Sequence, residues 1–378
     1  MNDTGFKDES NCHILLADQK KMKSKIQFIR YRLLSVIFLL SVTVHFVSAQ
    51  DATFSQFYFN QLYVNPAFTG INPGLRAGVN YRALWPNIPS KFPTYSVAID
   101  AQDLALSSGI GLHAWSDTEG EGYLRTQCIS GLYSYRMILS PKNWVFQAGF
   151  QTSIINKKID WSQLVFSDQL HPLFGITGPS ANPTPYQQST TFADFTAGAL
   201  IKGNQRSRIK NIIATYTFGA AIHHLVQPDE SILGSASRLP KNIVIHAGAV
   251  IPVRYEVKKY KILLVPNLMW EHQSTMSEFI ASFNVMMKPL FAGLSYRNQT
   301  PLIADLKRAD AIIINFGLAG DKNKESIVYK IGYSYDLTIS DLRSNTAGTH
   351  EIALIIEFRD FKFNNSGSPK RKLECPNF

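Results

Sequence analysis

Beyond residue 49 the chain has only two cysteines, Cys128 and Cys375. That is too few for a disulfide framework, so packing and hydrogen bonds must hold the fold. The same region has no run of 18 consecutive apolar residues, which excludes a helical membrane span there. Catalytic signatures are missing as well. There is no G-x-S-x-G elbow, and His350-Glu351 continues as Ile-Ala-Leu, without the second histidine of a zinc H-E-x-x-H helix. No glycine-rich phosphate loop occurs. His223 and His224 are neighbours in an expected strand and should face opposite ways, so they are not expected to share a metal. His113, His171 and His272 are scattered. The reading is of a protein that is not an enzyme, with no cofactor and no metal.

Acidic residues are outnumbered. The chain has 38 Lys and Arg against 28 Asp and Glu, a net charge of +10, and residues 50–378 alone carry +7. The basic residues gather in short expected connectors, at Lys202–Lys210, Arg254–Lys261 and Lys370–Lys372. Dispersed charge of this kind reads as solvated turns, not as a nucleic-acid patch.

An export signal is present. Lys20, Lys21, Lys23, Lys25, Arg30 and Arg32 precede an apolar stretch from Leu33 to Val47, and Val47-Ser48-Ala49 fits a small-residue cleavage site. Residues 1–49 are therefore expected to be a removed signal peptide. A start at Met22 would make it more ordinary, leaving 1–21 as a misassigned beginning. No cysteine follows the cleavage site, which argues against a lipid anchor.

What the rest of the chain has in quantity is period-two alternation. Tyr95, Val97 and Ile99 alternate with Thr94, Ser96, Ala98 and Asp100. Tyr329, Ile331, Tyr333 and Tyr335 alternate with Lys330, Gly332, Ser334 and Asp336. Ile352, Leu354, Ile356 and Phe358 alternate with Glu351, Ala353, Ile355 and Glu357. The apolar rows carry tyrosine and phenylalanine, as a membrane girdle requires, and the other rows suit a polar lumen. About fourteen such strands follow one another: 74–86, 94–102, 108–116, 125–139, 143–157, 190–203, 212–225, 241–253, 261–272, 278–288, 289–300, 310–320, 326–339 and 348–361. An even number suits a closed antiparallel barrel, which leaves no sheet edge for hydrocarbon to meet.

Counting every second connector, the longest, 158–189 and 226–240, fall in one set, and the other set is short. With both termini periplasmic, the long ones lie outside the cell. The expected fold is thus all-β, a bacterial outer-membrane barrel over 74–361. It follows a periplasmic or lumenal segment, 50–73, and ends in a basic periplasmic tail, 362–378. Glu351 and Asp336 should both point inward near the top of neighbouring strands. Pairing with Arg76, Arg82 or Arg297 explains them better than acid/base chemistry, because enclosed charges need partners.

The segment between signal and barrel reads FSQFYFNQLYVNPAFTG, Phe54 to Gly70, with six aromatics, two asparagines and two glutamines. It is too polar to span a membrane and does not alternate. Amide and phenol groups can bond to a polar wall while rings fill space, so a brace or plug inside the barrel is preferred to a periplasmic partner contact.

This segment, together with NYRALWPNIPSKFPTYSVAID (80–100), GLSYR (293–297), KIGYSYDLTISDLRSNTAGTHEIALIIEF (330–358) and the terminal CPNF, resembles the PorP/SprF family. These are outer-membrane proteins of the type IX secretion system of Bacteroidetes. The likeness is specific at both ends and vague through 140–290. It implies a barrel that works with type IX translocon components and a large secreted adhesin bearing a C-terminal sorting domain. Matching motif positions are Phe54, Tyr58, Asn65, Pro66, Tyr81, Arg82, Trp85, Tyr95, Tyr333, Tyr335, Asp336, Gly348, His350 and Glu351. The candidates for lumenal or partner contacts among them are Phe54, Tyr58, Asn65, Pro66, Arg82, Trp85, Asp336, His350 and Glu351. Tyr95, Tyr333 and Tyr335 face lipid in the alternation, beside outer-membrane lipid. The alternative function is an outer-membrane channel for small solutes or lipids, which a polar lumen equally allows.

Overall fold

Alternation of side chains dictates that one face of a closed sheet meets lipid and the other meets the interior. The computed structural model describes residues 51–361, apart from breaks at 89–91, 104–105, 121–123, 141–143, 181–187, 207–212, 233, 254–261, 300–308, 323–325 and 340–346. The expected signal peptide and the basic tail with Cys375 lie outside the described residues.

Five strands come first: β1 (Leu75–Leu84), β2 (Phe92–Asp103), β3 (Ser108–Glu119), β4 (Leu124–Ser140) and β5 (Trp144–Ile159). A small hairpin follows, β6 (Leu170–His171) with β7 (Gly175–Ile176). Then come β8 (Ser189–Arg206), β9 (Ile213–His223), β10 (Asn242–Val253), β11 (Ile262–Gln273) and β12 (Met276–Met287). The last four are β13 (Leu290–Asn298), β14 (Ala309–Lys322), β15 (Ile327–Thr338) and β16 (Thr349–Phe358). All but β6 and β7 form one closed barrel of fourteen antiparallel strands. β1 closes on β16 in unbroken register, from Leu75 opposite Phe358 to Leu84 opposite Thr349, so no edge is left open. No helix among the described residues is long and apolar enough to cross a membrane.

The outer face is an apolar belt. On β4 it runs through Ile129, Tyr133, Tyr135, Met137 and Leu139, all exposed. At about 3.4 Å per residue and a tilt near 40°, such a row stands roughly 25 Å tall, the height of an outer-membrane belt. Aromatic pairs stud it: Tyr81 with Tyr95 at 5.0 Å, and Phe316 with Tyr333 at 4.9 Å.

The inner face departs from the uniform polar lumen suggested by alternation. On β2, β4, β5 and β8 it is mostly polar, with Ser96, Ser130, Ser134, Gln147, Gln151, Ser153, Asp194 and Thr196 buried around a smaller apolar cluster of Leu132 and Leu200 with Leu62 and Phe68. On β10 to β16 much of it is apolar. There Val244, Val250, Leu263, Val265, Met269, Ile280, Met286, Phe291 and Ile355 join Phe57, Tyr58, Phe59 and Val64 in one buried cluster. The reason is that this half of the wall faces aromatic rings rather than water.

Candidate functional site

The interior is occupied by residues 51–71. Asp51 lies at the far mouth, beside the ends of β9, β10 and β11, and Gly70 lies at the opposite end, where β1 begins and β16 finishes. From Phe54 to Asn60 every residue is buried, Ser55 and Gln56 completely. Local chemistry shapes the path. A four-residue helical turn, α1 (Gln61–Val64), stops at Asn65, whose backbone is extended at φ −157° and ψ 120°. The Asn65 side chain then accepts from Ala67 N at 2.8 Å, and Pro66 opens a 3-10 turn to Phe68. Thr69 Oγ1 donates back to Pro66 O at 2.8 Å, and Gly70 turns the chain out with a left-handed φ of 62°.

The Asn-Pro turn fits a notch. Gly149 on β5 and Gly198 on β8 are register partners with inward-facing positions. A Cβ at Gly149 would overlap the Pro66–Ala67 backbone, and one at Gly198 would overlap the Asn65 amide. Asn65 Nδ2 donates to the carbonyls of Ala199 and Ala220 at 3.2 and 3.1 Å.

Three polar anchors fix the segment along its length. In the first, Glu351 accepts from Ser55 N at 2.8 Å and Gln56 N at 3.0 Å, and Asp336 accepts from Ser55 Oγ at 2.6 Å. Arg297 balances this acidic group, donating to Asp336 at 2.8 Å and to Asp310 at 2.6 Å. In the second, Asp100 accepts from Gly70 N at 2.7 Å and from Arg76 at 2.7 Å, while Arg76 also donates to Gln61. Nearby, Ser134, Gln147 and Arg136 donate to the carbonyls of Thr69 and Gly70. The third is a latch at the far mouth. His224 Nε2 meets Asp51 at 2.7 Å and its Nδ1 meets Asp194 at 2.9 Å. Burial opposes charge on His224, but the two carboxylates outweigh it and push its pKa up to about 10. Asp51 N donates to Gln273 at 2.9 Å.

Of the residues singled out from sequence, Phe54, Tyr58, Asn65 and Pro66 lie inside the barrel, and Arg82, Asp336 and Glu351 are buried on its inner wall. Trp85 follows the last residue of β1 at the far rim with a left-handed φ of 50°, its ring 6.2 Å from Phe92. His350 lies elsewhere: it faces outward, bonded to Tyr333 Oη at 2.7 Å, and does not meet the lumen. A further expectation is overturned. His223 and His224 both point inward, their rings 6.3 Å apart, with His223 Nε2 against Val64 O at 3.3 Å. β9 ends at His223, and a left-handed φ of 55° at His224 breaks the alternation. Among the described residues no three His, Cys, Asp or Glu side chains converge as a metal would need.

The sequence reading did not single out Asp51, Ser55, Asp194 or the glycine notch. The one signal available for the notch was glycine at inward parity on β5 and β8. A cavity of about 50 Å³ remains between segment and wall, lined by Phe54, Tyr63, Trp115 and Cys128 among others. It has room for little more than water.

The family model for the type IX secretion system membrane protein PorP/SprF matches residues 46–356, most of the chain. The chain belongs to the PorP/SprF family. Curated proteins return no match. Solved structures similar to it are outer-membrane barrels at low identity. The β domain of the Bordetella autotransporter BrkA aligns at 10% identity, over 76% of this chain and 98% of that one, with a TM-score of 0.37. A deltaS2 mutant of the TodX monoaromatic hydrocarbon channel aligns at 14% identity, over 79% and 92%, with a TM-score of 0.35. The translocator domain of the autotransporter NalP from Neisseria meningitidis aligns at 11% identity, over 92% and 99%, with a TM-score of 0.32. This PorP/SprF protein is a fourteen-stranded membrane barrel of a secretion-system family.

Proposed function

We propose that this PorP/SprF protein is a non-enzymatic, closed barrel that assists secretion and surface attachment of an adhesin-type cargo. It does so by binding the cargo's C-terminal sorting domain or the type IX translocon. The observation that carries this is the filled lumen: residues 51–71 run from mouth to mouth, bonded to the wall at three levels. A barrel so occupied works through its mouths, rims and loops. The same observation weighs against the channel for small solutes or lipids, since a segment bonded to the wall occupies the path between the mouths.

In this reading the signal peptide is removed, both termini lie in the periplasm and the far mouth faces outside. Phe54, Tyr58, Asn65 and Pro66 serve as the seal. Arg82, Asp336 and Glu351 hold it, and Trp85 stands at the outer rim. The test compares surface, periplasmic and medium proteomes with and without the gene. Loss of one large adhesin makes the protein a dedicated partner, and loss of many type IX cargoes makes it a general component. If no cargo changes and liposomes carrying the purified protein swell in sugar, the channel reading replaces this one.

A further inference from the structure

The connector between β5 and β8 builds a hairpin whose tip is left exposed among the described residues. It is held by its own bonds. Phe166 N donates to Gln169 Oε1 at 2.8 Å, Gln169 Nε2 donates to Gly178 O at 3.1 Å, and Thr177 N donates to Gln169 O at 3.0 Å. Ser180 Oγ bridges to both oxygens of Asp168, at 2.7 and 3.0 Å. At the tip, Leu173 N donates to His171 Nδ1 at 3.2 Å, the His171 and Phe174 rings lie 4.9 Å apart, and Gly175 takes a left-handed φ of 68°. This ordered frame presents Leu173 at 83% exposure and Phe174 at 76%, with Leu170 and Ile176 exposed beside them. A contiguous apolar patch on a pre-ordered frame marks an interaction site, because the ordering cost is met before binding.

Two observations identify what covers it. The first is position. On β5 the outward row changes from Phe150 and Ile154 to Asn156 and Lys158, and on β4 from Ile129 to Gln127 and Arg125. At 3.3–3.4 Å per residue, Lys158 stands roughly 14 Å along the strand beyond the end of the apolar belt. The hairpin begins further still along the chain, past the polar residues that end the apolar rows of β4 and β5. The second is charge. Residues 159–189 contain Asp160 and Asp168 and no lysine or arginine, in a chain of net charge +10. Hydrogen bonds from Ser162 hold the Asp160 carboxyl below its ordinary pKa, so it stays ionised. Anionic head groups repel such a knob, and a symmetric pairing of two copies would gather like charges around one contact.

We propose that the hairpin is a docking knob whose Leu173 and Phe174 enter an apolar pocket with a basic rim on a partner protein outside the barrel. Placing that partner among secretion components rests on the function proposed above. The test uses the full-length protein in whole cells, with folding checked by heat-modifiable gel mobility. Two variants are compared, Leu173→Ser with Phe174→Ser, and Asp160→Lys with Asp168→Lys. A photo-crosslinking phenylalanine analogue is placed at position 174 in a third.

Both variants are expected to lower surface display of type IX cargo about tenfold with barrel levels unchanged, as loss of a central apolar anchor implies. The crosslink is expected on one other protein and to fade with Asp168→Lys. Unchanged display in both variants overturns the proposal. So does a crosslink at twice the chain's mass, which means a second copy, or one to lipid only. The gene deletion run alongside separates the two readings. If deletion abolishes display and the variants do not, the knob alone fails. If deletion changes nothing, the secretion reading fails, and a crosslink to no protein, or one indifferent to Asp168→Lys, overturns the knob as well.

Discussion

Two irregular, aromatic-bearing segments of this protein meet opposite fates. Residues 51–71 and the hairpin around Leu173 and Phe174 both lie outside the barrel wall's regular ladder. The first is buried almost completely and the second is exposed. Composition does not separate them; the wall does. The inner segment meets a surface shaped for it, with a glycine notch at Gly149 and Gly198 and carboxylates at Asp100, Asp336 and Glu351 that accept its backbone and side-chain donors. The outer hairpin is framed by its own hydrogen bonds and keeps its apolar tip exposed among the described residues. Burial here is a property of the receiving surface.

The largest effects should come from removing that surface. Glu351→Ala strips the acceptor from two buried backbone N–H groups at Ser55 and Gln56. Each buried donor left unsatisfied in this way costs about 1–3 kcal/mol. Phe57→Ala empties part of the apolar half-lumen and should cost a similar ~3–5 kcal/mol. Both are expected to lower the denaturation midpoint and to raise single-barrel conductance in a planar bilayer. Closed, wild-type-like conductance in both variants would mean that the segment seals without these contacts.

A smaller loss is expected from filling the notch. Gly198→Val drives a side chain into the Asn65 amide, and such overpacking costs about 1–3 kcal/mol. The contrast is Gly178 in the outer hairpin, where an added Cβ meets nothing within 4 Å. Gly178→Ala should leave conductance and stability unaltered. Equal behaviour of the two variants would abolish the distinction between a shaped seat and a free surface.

The wall was far more legible in the sequence than its contents. Alternating rows such as Tyr95, Val97 and Ile99 report parity directly, because a strand's side chains have a period of two. All fourteen expected strands are present in order, with ends shifted by a few residues. The segment has no period to read. Its place depends on residues almost 300 positions away, as between Ser55 and Glu351, and such pairings leave no local trace. The apolar half of the lumen was obscured for a related reason. Inward Leu263, Val265 and Met269 on β11 resemble an ordinary two-sided apolar strand until their partner, the ring cluster at Phe57 to Phe59, is known. At His224, one left-handed residue was enough to defeat the alternation argument.

The latch at the far mouth gives a weaker, titratable version of the same comparison. His224 has a folded pKa raised to about 10 by Asp51 and Asp194 against the pull of burial. A raised pKa stabilises fully below the ordinary histidine value of 6.5, declines above it and is lost past about 10. Asp51 is depressed, so its share is present above the ordinary value of 3.8 and is lost only in strong acid. The segment should therefore be held at neutral pH and loosen on alkaline titration. Conductance rising between pH 8 and roughly 10.5 in the wild type, but already raised and flat in His224→Gln, is the expected pattern. A pH response unchanged in His224→Gln would place the titrating group elsewhere.

The smallest stability effect belongs to the outer hairpin, and its smallness is informative. Phe174→Ala removes a ring that is three-quarters exposed, so folding should change by no more than about 0.5 kcal/mol, against several for Phe57→Ala. Equilibrium unfolding of the two variants in one detergent tests this directly. A large loss for Phe174→Ala would mean that the ring packs on the barrel and is unavailable to a partner. A negligible loss leaves an exposed phenylalanine on an ordered frame that folding does not require, and its use must then lie in what it binds.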